Sequence, residues 1–168
     1  SGTANWDLSG ITGGSGDCIG NSGITFTTSQ TQTWQGTSGG NWSANAWTTR
    51  PPLPQDDVVI NAAFSASQTI THNMARSGRS IDWTGTTGAP TWTLSQASYL
   101  YGSLTMASNV VVSVVNVDLT FRGVSASTFT SAGVSFGCLL GFNTGSGSVT
   151  LQDDIVVSHP TASCSMTN

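Results

Sequence analysis

A chain of 168 residues has room for one domain and not for two ordinary ones. Ser and Thr number 25 each, with 20 Gly and 10 Asn, while Lys and Glu are absent, so helices lack two of their strongest formers and an all-β fold follows. Four Arg against eight Asp leave a net charge of -4 and no basic patch for nucleic acid, and a chain that is 37% apolar, with six Trp and six Phe, is expected to fold.

In chain order, Ser1-Gly2 reads as a processed or cloned end, since it has none of the regions of a signal peptide. Residues 1–33 are rich in Gly, Ser and Thr and contain one clear alternating run, Ile24-Thr25-Phe26-Thr27. They are expected to form an N-terminal coil or the end of a preceding repeat. Residues 34–55, WQGTSGGNWSANAWTTRPPLPQ, carry three Trp and three Pro, which excludes a central strand. A long loop is expected here, folding its aromatic rings over one end or side of the core. The longest apolar stretch, residues 110–117, is far short of the roughly 18 residues a membrane span needs.

Residues 56–168 read as regular coils, because the sequence repeats. SLTMASNVVVS at 103–113 lies over SVTLQDDIVVS at 148–158, an offset of 45 residues with five of eleven positions identical. STFTSAGVSF at 127–136 copies the outline at offsets of 24 and 21, and Ser80-Ile81-Asp82-Trp83 sits 23 residues before Ser103. The unit is therefore about 21–24 residues and holds two or three short alternating runs. A propeller blade needs about 40 residues and four strands, so the unit fits one coil of a parallel β-helix instead. Five to seven coils at the ordinary strand spacing of about 4.8 Å would make a rod of roughly 25–35 Å. Ser108-Asn109, Ala132-Gly133 and Asp153-Asp154 occupy one place in successive units, and Asn, Gly and Asp all tolerate the left-handed backbone of a sharp bend. Phe129, Phe136, Leu139 and Phe142 are expected inside, layered with the aliphatic residues of adjacent coils.

The segments WQGTSGGNWSANAW, PPLPQDDVVINA, SGRSIDWTG, YLYGSLTM, STFTSAGVSFG and SVTLQDDIVV together resemble the repetitive β-solenoid modules of bacterial surface proteins and of bacteriophage tail or fibre proteins. The shared order is a Trp and Gly-rich loop, a Pro and Asp-Asp corner, then short Thr-rich strands, over residues 20–158. The resemblance implies a right-handed parallel β-helix serving as a structural or adhesive element. It supplies no catalytic residues.

Adjacent carboxylates occur at Asp56-Asp57 and Asp153-Asp154. Both pairs follow Gln and precede an apolar strand, so a turn is the first reading, calcium ligation the second and sugar-acid chemistry the third. Arg79 is expected to pair with Asp82, three residues on, in a surface ion pair, and nothing in the sequence sets Arg76 or Arg79 opposite the Asp pairs. His72 and His159 stand alone and read as hydrogen-bonded or solvated loop residues. Cys18, Cys138 and Cys164 lack C-x-x-C spacing; each reads as a small buried hydrophobe, with neither an obligatory disulfide nor a zinc site. Thr25-Phe26-Thr27, Thr91-Trp92-Thr93 and Thr128-Phe129-Thr130 do not share the coil period, which argues against an ice-binding ladder. Without G-x-S-x-G, P-loop or Cys-His spacing, a non-enzyme without cofactor is expected.

Trp34, Trp42 and Trp47, beside Asn41, Asn45 and Gln35, have two readings. They form a hydrophobic cap on the solenoid, which is preferred, or the floor and rim of a sugar site. The expected function is a non-catalytic structural module of an extracellular fibre, phage appendage or bacterial surface array. Its partners would be neighbouring repeats of the same array or other copies of itself, with no nucleic acid and no membrane insertion. The alternative is a glycan- or receptor-binding adhesin domain using the Trp loop, and a β-helical carbohydrate-active enzyme stands a distant third.

Overall fold

The computed structural model describes residues 5–65, 68–113, 115–158 and 164–166. These residues form an all-β solenoid of about seven turns, with strands stacked in parallel. Face one stacks Thr31–Thr33, Asp57–Val59, Ile81–Asp82, Leu104–Thr105, Ala126–Thr130 and Ser148–Leu151. Face two stacks Gly40–Asn41, Thr69–His72, Thr91–Leu94 and Val111–Val112, and Ser135–Phe136 then pairs with Val156–Val157. Face three stacks Arg76–Gly78, Ser98–Leu100, Asp118–Phe121, Leu139–Phe142 and Cys164–Met166. Six strands at the usual spacing give face one a height of roughly 24 Å.

Alternation chooses the inward residues and stacking turns them into columns. On face one the column runs Gln32, Val58, Ile81, Leu104, Phe129, Leu151. On face three Leu100, Phe121 and Phe142 follow one another, with Phe121 and Phe142 stacked 5.1 Å apart. The rungs on face one are 23, 25 and 22 residues long (104−81, 129−104, 151−129), so the coil is less regular than the sequence match implies. The offset of 24 would set Leu104 over Thr128, whereas the ladder sets it over Phe129. A slip of one residue turns every side chain to the other face, and burial decides between them, because Phe129 is 0% exposed.

The corners absorb the length differences. Ala132 and Gly133 both take positive φ, 52° and 75°, on the corner where the sequence placed them. Asp153, one coil later, accepts from the backbone N–H groups of Ser131 and Ala132 at 2.7 Å each. These bonds hold its carboxyl below the usual range, and they tie one corner to the next. Asn109 does the same toward the coil before it, donating to the carbonyls of Thr86 and Gly88. Gly88 cannot be replaced freely, since its φ is +81° and a Cβ there would strike the Phe64 carbonyl on the neighbouring coil.

Residues 34–55 were expected as a loop outside the stack, and here the structure differs. Gly40–Asn41 is the edge strand of face two, paired to Ile70 and Thr71, so the segment is an enlarged coil. Its extra residues fold back through an antiparallel bridge between Trp34 and Trp47. The Thr-x-Thr runs do not stack on one another, since Thr91 and Thr93 lie on face two, where they pair with Thr69 and Thr71, and Thr128 and Thr130 lie on face one.

Candidate functional site

The three tryptophans of the enlarged coil are buried, with Trp34 at 1%, Trp42 at 0% and Trp47 at 5% exposure. Trp47 packs edge-on against Trp34 and Trp42 at 4.9 and 4.7 Å, and its indole N–H donates to the Trp42 carbonyl at 2.7 Å. Trp42 in turn stacks on His72 at 4.3 Å, beside Trp92. The flat faces are used up on one another, so these rings offer no floor to a sugar, and Asn41 and Asn45 stand exposed without an aromatic platform. His72, read from sequence as a loop residue, is a core residue at the end of a face-two strand. Its Nε2 faces the Arg76 carbonyl at 3.3 Å, and burial pushes its pKa down to about 4, so the ring is neutral. His159 lies outside the described residues.

The Asp pairs behave as corner residues with unequal loads. Asp56 is fully buried, accepts from the backbone N–H of Gln30 and Leu53 at 2.8 and 2.7 Å, and pairs with Arg50. It thereby clamps the Pro-rich corner, in which Pro52, Leu53 and Pro54 are buried. Asp57 points outward and pairs with Arg79, whose Nε donates at 2.9 Å. This corrects the expected Arg79–Asp82 pair: Arg79 reaches back one coil, 22 residues, while Asp82 accepts from the Thr84 N–H at 2.8 Å. Among the described residues no three His, Cys, Asp or Glu side chains come together as a metal site.

The strongest site-like feature lies elsewhere, on the outer side of face three. There Arg76, Tyr99 and Arg122 follow one another on successive coils, 23 residues apart each time. Tyr99 is the register partner of Arg76, and the Arg122 guanidinium sits over the Tyr99 ring, 3.9 Å from its centroid. A β-bulge builds this geometry. Tyr99 pairs with Arg76 and Leu100 with Gly78, so Ser77 is the extra residue and turns inward, toward His72. Arg76 is left on the outer side, half-buried, with its Nε donating to the Pro52 carbonyl at 2.9 Å.

A second wall comes from the N-terminal segment. Gln55 carries it, accepting from the Asp17 N–H and donating to the carbonyls of Ser15 and Thr27. Between this wall and face three runs an open groove of two lobes. One, about 600 Å3, is lined by Gly14, Leu53, Arg76, Tyr99, Tyr101 and Arg122, among others. The other, about 390 Å3, shares Cys18, Tyr101 and Arg122 and adds Asn143 and Thr144. Ile19, on the wall, has a φ of 70°, a region β-branched side chains avoid. Cys18 is exposed here rather than buried as the sequence reading had it, and it lies against the Tyr101 hydroxyl. Burial first, and Cys18 second, push the Tyr101 pKa up, so the phenol stays a neutral donor.

No protein-family model, no curated protein and no solved structure matches the chain.

Proposed function

We propose that this chain is a non-catalytic structural module of an extracellular fibre, phage appendage or bacterial surface array, in which stacked coils provide length and stiffness. The observation that carries the reading is the face-one column. Its members are buried from Gln32 through Phe129, and among the described residues its last member is Leu151, which is 45% exposed on a strand paired there on one side only. Val157, which stacks on the buried Phe136 in the last described face-two strand, is only partly covered in the same coil. An open rung whose inward column is apolar supports stacking of a further coil, whether the next repeat of an array or another copy of this chain. The sparsely charged Ser, Thr and Asn exterior and the resemblance to appendage modules support a place outside the cell or on a virion.

Sedimentation across a concentration series tests this. End-to-end association into longer particles is expected, and Leu151→Arg with Val157→Arg should abolish it while leaving the fold intact. A chain that stays a monomer at every concentration, and is unaffected by the two substitutions, would count against the reading. An adhesive function would have to use a surface other than the Trp loop, given the buried rings.

A further inference from the structure

We propose that the groove on face three is a binding site for an extended saccharide bearing carboxylates, with Arg76 and Arg122 as the anion-reading groups. The distribution of positive charge makes the first case. The sequence has four cationic side chains; Arg50 and Arg79 are engaged by Asp56 and Asp57, and the other two converge on this groove. Neither Arg76 nor Arg122 has a carboxylate partner among the described residues. The wall's own carboxylate, Asp17, is turned to the Ile19 N–H and to Asn21. Arg76 is half-buried with one carbonyl acceptor, and burial, followed by the nearby Arg50, pulls its pKa down. A desolvated cation held in this way is stabilised by an incoming anion.

Geometry indicates the kind of anion. The strands carrying Arg76 and Arg122 are two coil steps apart, about 10 Å, and the groove continues one step further to Asn143. An occupant must therefore be extended and carry its charges at intervals. Arg122 is braced on the Tyr99 ring, which fixes the fork that a carboxylate accepts in bidentate fashion. Tyr101, Asn143 and Thr144 supply hydroxyl and amide groups of the kind that read sugar hydroxyls. An acidic peptide is disfavoured because Ser98–Leu100 is paired on both sides and the edge strand Arg76–Gly78 is covered by the preceding coil, where the Arg79 N–H donates to the Asp56 carbonyl and Gly78 lies against Val58. Nucleic acid is disfavoured by two cations set in a net charge of -4.

The test is isothermal titration of the full chain with oligogalacturonate, oligosialate and alginate oligomers. The comparison arms are fully methyl-esterified oligogalacturonate, poly-glutamate and oligodeoxythymidylate. Binding to at least one carboxylated saccharide is expected, weakened about tenfold by Arg122→Gln and again by Arg76→Gln, and unchanged by Arg79→Gln, which lies outside the groove. Arg122 is exposed, so its substitution leaves the fold intact even if loss of the Arg76–Pro52 contact does not. Ligand should also slow alkylation of Cys18, mapped by peptide mass, while Cys138, buried and with its thiol pushed up to about 12, stays unreactive throughout. The proposal is overturned if no carboxylated saccharide binds, if Arg122→Gln leaves binding unchanged, or if the esterified oligomer, poly-glutamate or oligodeoxythymidylate binds as tightly. None of these outcomes bears on the end-to-end association that tests the structural module.

Discussion

Lowering the pH from 7 to 4 should destabilise this protein by about 3 kcal/mol through one side chain, His72. In the fold the imidazole is buried, stacked on Trp42 and packed beside Trp92, and its pKa falls from 6.5 to about 4. A folded value below the unfolded one means that the unfolded chain binds the proton more readily. The contribution of His72 is therefore complete above pH 6.5, drains away as pH falls, and is gone by about 4. Within that window the slope is about 1.4 kcal/mol per pH unit. Asp153, whose pKa is held below 3.8, acts in the same direction but at lower pH, so the window belongs to the histidine. Urea unfolding at stepped pH, followed by tryptophan fluorescence, measures the effect, and five of the six tryptophans lie between residues 34 and 92, in the coils around His72. His72→Gln should lower stability at pH 7 yet flatten the dependence between pH 6.5 and 4 to under about 1 kcal/mol. A variant that keeps the full slope would refute the assignment.

The same unfolding assay separates the buried aromatics from the exposed one: Trp42→Ala should cost about 3–5 kcal/mol, and Trp6→Ala, at a site 64% exposed, less than about 1. The two adjacent carboxylates should differ as sharply. Asp56→Ala strands the Arg50 charge and two backbone N–H groups, costing about 3–5 kcal/mol and on the order of 10 °C in Tm by calorimetry. Asp57→Ala breaks a solvent-exposed pair and should cost less than about 1 kcal/mol.

Much of the fold is legible in the sequence because a solenoid writes its architecture locally. Alternation in Thr91-Trp92-Thr93-Leu94 marks inside and outside, and the recurring Asn, Gly and Asp corners mark where the chain bends. Register is less legible, because corners of different length absorb one or two residues without changing the pattern within a strand. That is how Leu104 came to stand over Phe129 rather than Thr128. The same gap hides the ion pairs. Arg79 has a carboxylate three residues away in Asp82 and one 22 residues back in Asp57, and only the stacking of coils shows that the distant one is nearer in space. The Trp loop misled in another way. Clustered tryptophans with amides read equally well as core or platform, and only their burial tells the two apart. The groove did leave a trace, since Arg76, Tyr99 and Arg122 recur at intervals of 23, close to the coil length, but two arginines and a tyrosine match no motif until the repeat is applied to outward positions as well as inward ones, and the ladder itself steps 21 from Tyr99 to Thr120.

Outward positions are where a solenoid is free to vary. The inward columns carry the apolar burial and the backbone ladder is satisfied between coils, so a residue such as Arg122 can change without disturbing either. A line of outward residues at the coil period is thus a surface that the fold constrains in position but not in chemistry. On face three this line departs from the rest of an exterior rich in Ser, Thr and Asn, with Arg76 in register with Tyr99 and the Arg122 guanidinium reaching back over the Tyr99 ring, faced by a wall that holds Ile19 in an unfavourable conformation. The strain at Ile19 does nothing for the stack, since a glycine there would suit the fold better, and the half-buried Arg76 meets the fold through one hydrogen bond, to the Pro52 carbonyl, with no carboxylate partner among the described residues. Features that cost stability on a surface the core leaves free are accounted for by what that surface contacts, which is why the groove, and not the tryptophan cluster, is the place to look for a ligand.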